Sequence, residues 1–210
     1  MQSLLHPSYI PNILTFAAIV QNDICWEVRD NFQKQTYRNR AYIATDRGKL
    51  MLNIPIKHVG KDQGRQYYKN VKLENEYNWQ RQHWRTLQTA YRTSPYFEFY
   101  EDEIAPLYTK IYTHLQDYNL KTIEIICECL QIDMPSKTSA TYEKMASQYN
   151  DLRILVDAKR KWNVNQPNYN QVFGERHGFI ENVSTLDLLF NEGPNALTYL
   201  KNLKIDQINA

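Results

Sequence analysis

The stretch Ser3-Leu4-Leu5-His6-Pro7-Ser8-Tyr9-Ile10-Pro11-Asn12-Ile13-Leu14-Thr15-Phe16-Ala17-Ala18-Ile19-Val20, followed closely by Ile24-Cys25-Trp26-Glu27-Val28, decides the fold class. Residues 3–6 are short and suit a first strand. Two prolines then interrupt regular structure, because a residue before Pro is pushed out of the helical region. Asn12 has the side chain of an N-cap, and Ile13, Leu14, Phe16, Ala17 and Val20 make a short apolar helix behind it. Residues 24–28 read as a second strand. Strand, helix and strand in so short a stretch predict a parallel crossover and an α/β fold.

Outward from that unit, 29–40 has no periodicity and reads as a loop. Residues 41–45 and 49–56 are strands joined at Asp46-Arg47-Gly48, a hairpin turn. Pro55 confines the second of them to a sheet edge or ends it early. The polar stretch 58–66 reads as a loop, and 69–73 as one more strand. From Asn78 the period becomes helical. Trp79, His83, Trp84, Leu87, Ala90 and Tyr91 share one face, with Arg81, Arg85, Gln88 and Arg92 opposite. Ser94-Pro95 ends that helix. Further helices are expected over 101–116 and 120–131, a loop over 134–141, and one or two helices within 142–161. Residues 162–178 are irregular and rich in Asn, Gln and Tyr. Ser184-Thr185-Leu186-Asp187 resembles a capping box, and Gly193-Pro194 stops one helix and starts another. No repeat, low-complexity run or linker divides 1–210. One domain is expected: an N-terminal strand-helix-strand unit with a mixed sheet, then a mainly helical C-terminal half.

Composition narrows the function classes. The formal net charge of the 210 residues is +2, too small for a nucleic-acid footprint built on bulk charge, so anion binding must be local. The N-terminus lacks the basic segment and uninterrupted apolar run of a signal peptide. The longest apolar run, within 13–20, is too short for a membrane span. The 3 Cys have no disulfide-framework spacing, which suits a reducing compartment and a cytoplasmic location. Tyr contributes 16 of the aromatics against 7 Phe and 4 Trp, so much of the apolar content carries a hydroxyl.

Candidate chemistry lies in four segments. His6 and Tyr9 stand between a strand and a helix, where open α/β sheets bind ligands. Lys34, Tyr37, Arg38, Asn39 and Arg40 concentrate donors beside a strand. Arg38 and Arg40, alternating along it, would face one side and grip phosphate or carboxylate. His83 sits on an apolar helix face, where a lone His is first a satisfied core residue. It and His6 are also the imidazoles suited to general base work near neutrality. Tyr169 and Gln171 suit hydrogen bonding to a sugar or amide. There is no phosphate-loop or G-x-G-x-x-G pattern, no pair of His at metal-ligand spacing, and no identifiable cofactor.

The chain resembles the WbqC-like protein family over nearly its whole length. The resemblance rests on His6-Pro7-Ser8-Tyr9-Ile10-Pro11, on Phe32-Gln33-Lys34 with Tyr37-Arg38-Asn39-Arg40, and on Leu52-Asn53-Ile54-Pro55-Ile56. It continues through Trp79 with His83-Trp84, Tyr91 with Ser94-Pro95-Tyr96-Phe97, Tyr169-Asn170-Gln171-Val172-Phe173, and the run from Ser184 to Pro194. Two departures stand out. The family commonly has Gln where His6 precedes the first Pro, and many members carry an acidic pair after the second strand where Arg29-Asp30 leave one acid. The resemblance implies a role in surface-polysaccharide (O-antigen-type) synthesis, and for one branch an aminoacyl transfer. The expected function is therefore a cytoplasmic transferase that aminoacylates or acylates a nucleotide-linked sugar. Its substrate is a phosphate-bearing small molecule held by the basic segment, with His6 or His83 as base and all four segments converging on one pocket. The alternative is a non-catalytic ligand- or partner-binding protein of the same pathway.

Overall fold

A computed structural model describes residues 1–57, 59–60 and 64–205. Positions 58 and 61–63, part of the expected 58–66 loop, lie outside the described residues. Strand β1 (Ser3–Leu5), helix α1 (Ile13–Gln21) and strand β2 (Ile24–Trp26) form the expected crossover, with Ser3 opposite Ile24 in a parallel ladder. The Asn12 side chain accepts the Thr15 N–H at 2.9 Å, satisfying one of the orphan donors of the first turn. Ile13, Leu14, Phe16, Ala17 and Ala18 are almost wholly buried, so this short helix is held by packing rather than propensity.

Strands β3 (Arg40–Thr45) and β4 (Gly48–Asn53) make an antiparallel hairpin. It turns at Gly48, whose φ of 94° favours glycine, and β4 ends before Pro55. The segment expected as a strand over 69–73 is instead a 3₁₀ turn at Tyr68–Asn70 followed by single bridges to Ile56 and His114. Helix α2 (Trp79–Tyr91) buries Trp79, His83, Leu87, Ala90 and Tyr91. The single helix expected over 101–116 is broken: α3 (Phe97–Ile104) stops, and Pro106 opens α4 (Pro106–Thr109). Proline lacks the N–H a continuous helix needs there. Helix α5 (Leu115–Cys129) follows, five residues earlier than expected.

Helices expected within 142–161 are absent. Strand β5 (Lys137–Thr138) lies in the segment read as a loop, and strand β6 (Asn150–Asp151) is followed by a 3₁₀ turn at Arg153–Val156. Both strands join the first two in a parallel sheet of order β5-β2-β1-β6, separate from the hairpin. The mixed sheet therefore resolves into one parallel and one antiparallel sheet, in an α/β fold. Helix α6 (Gly174–His177) is a single turn. Helix α7 (Thr185–Glu192) is capped by Ser184, and a turn at Gly193–Asn195 leads into α8 (Ala196–Asn202). One core cluster runs from Leu5 to Leu203. Among the described residues no helix is long and apolar enough to cross a membrane.

The parallel sheet has a functional consequence. All four strands end on the same edge, so His6, Glu27, Ser139 and Leu152 are each the first residue past a strand. β1 leads through α1 to β2 on one side, while β6 pairs on the other. Ligands of open α/β sheets bind beside such a divergence, outside the carboxyl ends of the strands.

Candidate functional site

A cavity of about 640 Å³ opens at that edge, lined by His6, Asp30, Lys34, Arg38, Asp151 and Arg153, and by Lys159 and Arg160 beyond the 3₁₀ turn. The backbone assembles it from three segments. Tyr9 N–H donates to the Tyr37 carbonyl and Tyr37 N–H to that of Val156, each at 2.9 Å, so the 33–38 loop is stitched between the turns after β1 and β6.

At its base lies Arg38, with no solvent exposure. Its Nη2 is 2.8 Å from His6 Nε2 and 2.9 Å from Asp30 Oδ2. Guanidinium nitrogens only donate, so the two Nη2 hydrogens serve these two acceptors and His6 carries its proton on Nδ1. The Tyr68 ring supports the guanidinium from 5.4 Å. Asn119 holds both the Arg38 carbonyl and the Tyr68 hydroxyl, which itself donates to the Pro7 carbonyl at 2.7 Å. Arg38 Nε and Nη1 are buried without a hydrogen-bond partner among the described residues.

Burial first, then the Arg38 charge, lowers the His6 pKa from 6.5 to about 4, against a smaller opposing pull from Asp30. The ring is therefore neutral near pH 7. With Nε2 occupied by Arg38, it positions the guanidinium rather than abstracting a proton. Burial raises the Asp30 carboxyl, but the Arg38 charge and the Asn31 N–H beside it lower it by more, so it is ionised.

Beside this group, Arg153 donates from Nε and Nη2 to Asp151 at 2.8 and 2.5 Å and lies 3.7 Å from Glu27 Oε2. Glu27 is buried, and its other oxygen accepts from Arg29 N–H and Ser139 Oγ. It is the first residue past β2, still bonded to β1 through its N–H to the Leu5 carbonyl at 2.7 Å, and joins Asp30 as an acid after that strand. Lys34, Lys159 and Arg160 have no ion-pair partner among the described residues. The cavity thus has a carboxylate-bearing floor with its charges paired, and a rim on which three cations outnumber the one carboxylate of Asp157.

The expected site residues divide into three groups. His6, Lys34 and Arg38 line the cavity. Tyr37 is buried and acts through its backbone, and Asn39 ties the loop to Asn53 and Ile54. Arg40 opens β3, outside the cavity lining. Arg38 precedes the ladder, so the expected strand alternation does not relate the two arginines. Tyr9 and His83 lie in the core: Tyr9 Oη is 2.9 Å from His83 Nδ1 and 3.1 Å from Tyr108 Oη. Burial lowers the His83 pKa to about 4. Tyr169 and Gln171 gather on Asp187, donating to its Oδ1 at 2.6 and 3.0 Å, while Tyr91 donates to Oδ2 at 2.8 Å. Asp187 is fully buried, and burial raises its pKa against the hydrogen bonds that lower it. The expected convergence of all four segments on one pocket does not occur. Sequence reasoning missed Glu27, Asp151, Arg153, Lys159 and Arg160; only the basic run 159–161 carried a signal. Among the described residues no group of three or more His, Cys, Asp or Glu is placed to hold a metal ion.

A model of the WbqC-like protein family matches residues 6–166. The chain is also similar to a protein of Mycobacterium tuberculosis (strain ATCC 25618 / H37Rv) named Uncharacterized protein Rv1507c, at 25% identity over 232 residues that cover 95% of this chain and 96% of that one. No solved structure matches the chain.

Proposed function

This chain belongs to the WbqC-like protein family, and on that premise we propose that it is a transferase acting on a nucleotide-linked sugar in surface-polysaccharide synthesis, with the phosphate-bearing substrate in the sheet-edge cavity. The observation that carries this reading is Arg38. A buried guanidinium with two nitrogens unpartnered is costly, by roughly 1–3 kcal/mol for each unmade bond. Arg38 lines the cavity, and an oxyanion entering it would bring acceptors to this guanidinium. Lys34, Lys159 and Arg160 add charge at the mouth, as a diphosphate needs.

On the floor, Asp30 is ionised and retains lone pairs beyond those taken by Arg38 and Asn31. It is the group suited to accept a proton from an acceptor amine or hydroxyl during acyl or aminoacyl transfer, in place of His6. A cytoplasmic location goes with this reading, since free Cys25, Cys127 and Cys129 suit a reducing compartment.

A thermal-shift screen against nucleotide-sugars, nucleotides and inorganic pyrophosphate tests the site. A ligand at a hundred times its Kd stabilises the fold by about 2.7 kcal/mol. Stabilisation by a nucleotide-sugar that Lys34→Ala weakens supports the reading. Binding without turnover in the presence of acyl and aminoacyl donors would make the protein a carrier, and silence across the panel would remove the reading altogether.

A further inference from the structure

A second cavity of about 580 Å³ is built from residues 168–179 and shares no lining residue with the first. Its wall carries the Tyr169 and Phe179 rings, packed edge to face with centroids 5.0 Å apart, and the amides of Asn168, Asn170 and Gln171. Glu175 is the single charged side chain on it.

This wall is rigidly supported although α6, one turn, is its only helix. Tyr169 and Gln171 both donate to the buried Asp187 carboxylate, and Gln171 exchanges a pair of hydrogen bonds with the Ile180 backbone at 2.8 and 3.0 Å. The interior polar groups therefore fix the aromatic ring and one amide in place. Asn168 and Asn170, by contrast, are exposed and make no side-chain hydrogen bond among the described residues. Fixed aromatic surface beside free amides, with almost no charge, is a different chemistry from the cationic cavity.

We propose that this second cavity is a binding site for a neutral saccharide. A pyranose offers an apolar C–H face to an aromatic ring and hydroxyls that both donate and accept. An amide side chain is the group that answers both roles at once, while an aromatic ring supplies contact area at low conformational cost. Nucleotides and other polyanions are disfavoured here, because the wall holds Glu175 and no cation. The site goes beyond the transferase reading and does not depend on it: saccharide binding here needs neither Arg38 nor Lys34.

The test is a titration of the full chain with neutral di- and trisaccharides of glucose, galactose, mannose and N-acetylglucosamine, followed by backbone amide chemical shifts. Shifts confined to residues 168–179 and their packing neighbours are expected. Asn170→Ala, which removes an exposed side chain with no internal bond, should weaken binding about ten-fold, as should Phe179→Leu, which keeps apolar packing but removes the ring. Lys34→Ala should leave the affinity unchanged. A silent panel, shifts centred on the sheet-edge cavity, or full affinity in both Asn170→Ala and Phe179→Leu overturns the proposal.

Discussion

Arg38 donates to His6 Nε2 at 2.8 Å, and this one bond fixes which imidazole nitrogen holds the proton and removes the other from acid–base work. A Gln at position 6 would offer, through Oε1, the same acceptor to the same guanidinium. His6→Gln should therefore keep ligand binding and turnover within a few-fold of the parent. His6→Leu, which leaves an Arg38 hydrogen without an acceptor, should cost roughly 1–3 kcal/mol of stability. Loss of turnover in His6→Gln with binding intact would restore the histidine as a base.

The cavity cations should separate into two kinds. Arg38→Met leaves Asp30 buried without its cation and should destabilise the fold by roughly 3–5 kcal/mol while abolishing pyrophosphate binding. Lys34→Ala and Lys159→Ala touch unpaired surface charges. They should change stability by no more than about 0.5 kcal/mol and act on affinity alone. Calorimetric titration with pyrophosphate, beside denaturant melts, distinguishes the two. Unchanged affinity in both lysine variants would take the phosphate away from this rim.

Two buried histidines make stability depend on mild acid. His6 and His83 each have a pKa lowered from 6.5 to about 4 by burial. The unfolded chain therefore takes up protons first, and stability complete above pH 6.5 is lost as pH falls toward 4. Each histidine contributes on the order of 3 kcal/mol to that loss. Asp187, whose pKa is raised, works in the opposite sense, its contribution falling as pH rises above 3.8. Melts from pH 7 to 4 should show the net decline, and His83→Gln should reduce its slope by about one proton. A flat profile in the parent would mean that these rings are not held neutral.

Two glycines with positive φ should respond unequally to alanine. At Gly48 nothing among the described residues lies within 4 Å of an added Cβ, so only backbone strain counts, about 1 kcal/mol. At Gly193, φ 52°, the Cβ would fall 2.6 Å from Tyr96 ring atoms. Strain and overpacking together should cost roughly 3 kcal/mol. Equal melting temperatures for Gly48→Ala and Gly193→Ala would show that Tyr96 yields freely.

Asp187 should behave as the anchor of the 166–183 segment. Asp187→Ala strands the Tyr91 and Tyr169 hydroxyl donors and removes one of the bonds made by the Gln171 amide, and should cost roughly 3 kcal/mol. Limited proteolysis should then cut within that segment before the rest of the chain unfolds. Resistance equal to the parent would place the anchor elsewhere.

The legible parts of this molecule were those with strong local patterning. The β1-α1-β2 unit, the hairpin turning at Gly48, the apolar face of α2 and the Ser184 cap all follow from neighbouring residues. The strands β5 and β6 do not: each has two residues, and Lys137 and Thr138 are exposed, so neither carries an apolar alternation. Missing β6 hid Asp151 and Arg153, and with them half of the cavity. Taking residues 24–28 as strand to the end hid Glu27. His6, Lys34 and Arg38 were legible because their residue types stood beside a chain break. The placements of Tyr9, His83 and Tyr169 depended on distant partners: Tyr9 meets His83 74 positions away and Tyr108 99 positions away, and Tyr169 meets Asp187 18 positions away.

The pairing of Ser3 with Asn150 has a kinetic consequence. Strand β1 waits for a partner 147 residues further along before one of its two edges is covered, and closing so long a loop is entropically slow. Until then an apolar strand edge is open to pairing with other chains, the state in which nascent proteins aggregate. The cavity at the sheet edge is likewise absent from any product that stops short of its far wall, which runs from Asp151 to Arg160. A chain cut short before that point would be sticky and would lack the cavity, so an assembled cavity reports that the parallel sheet has closed.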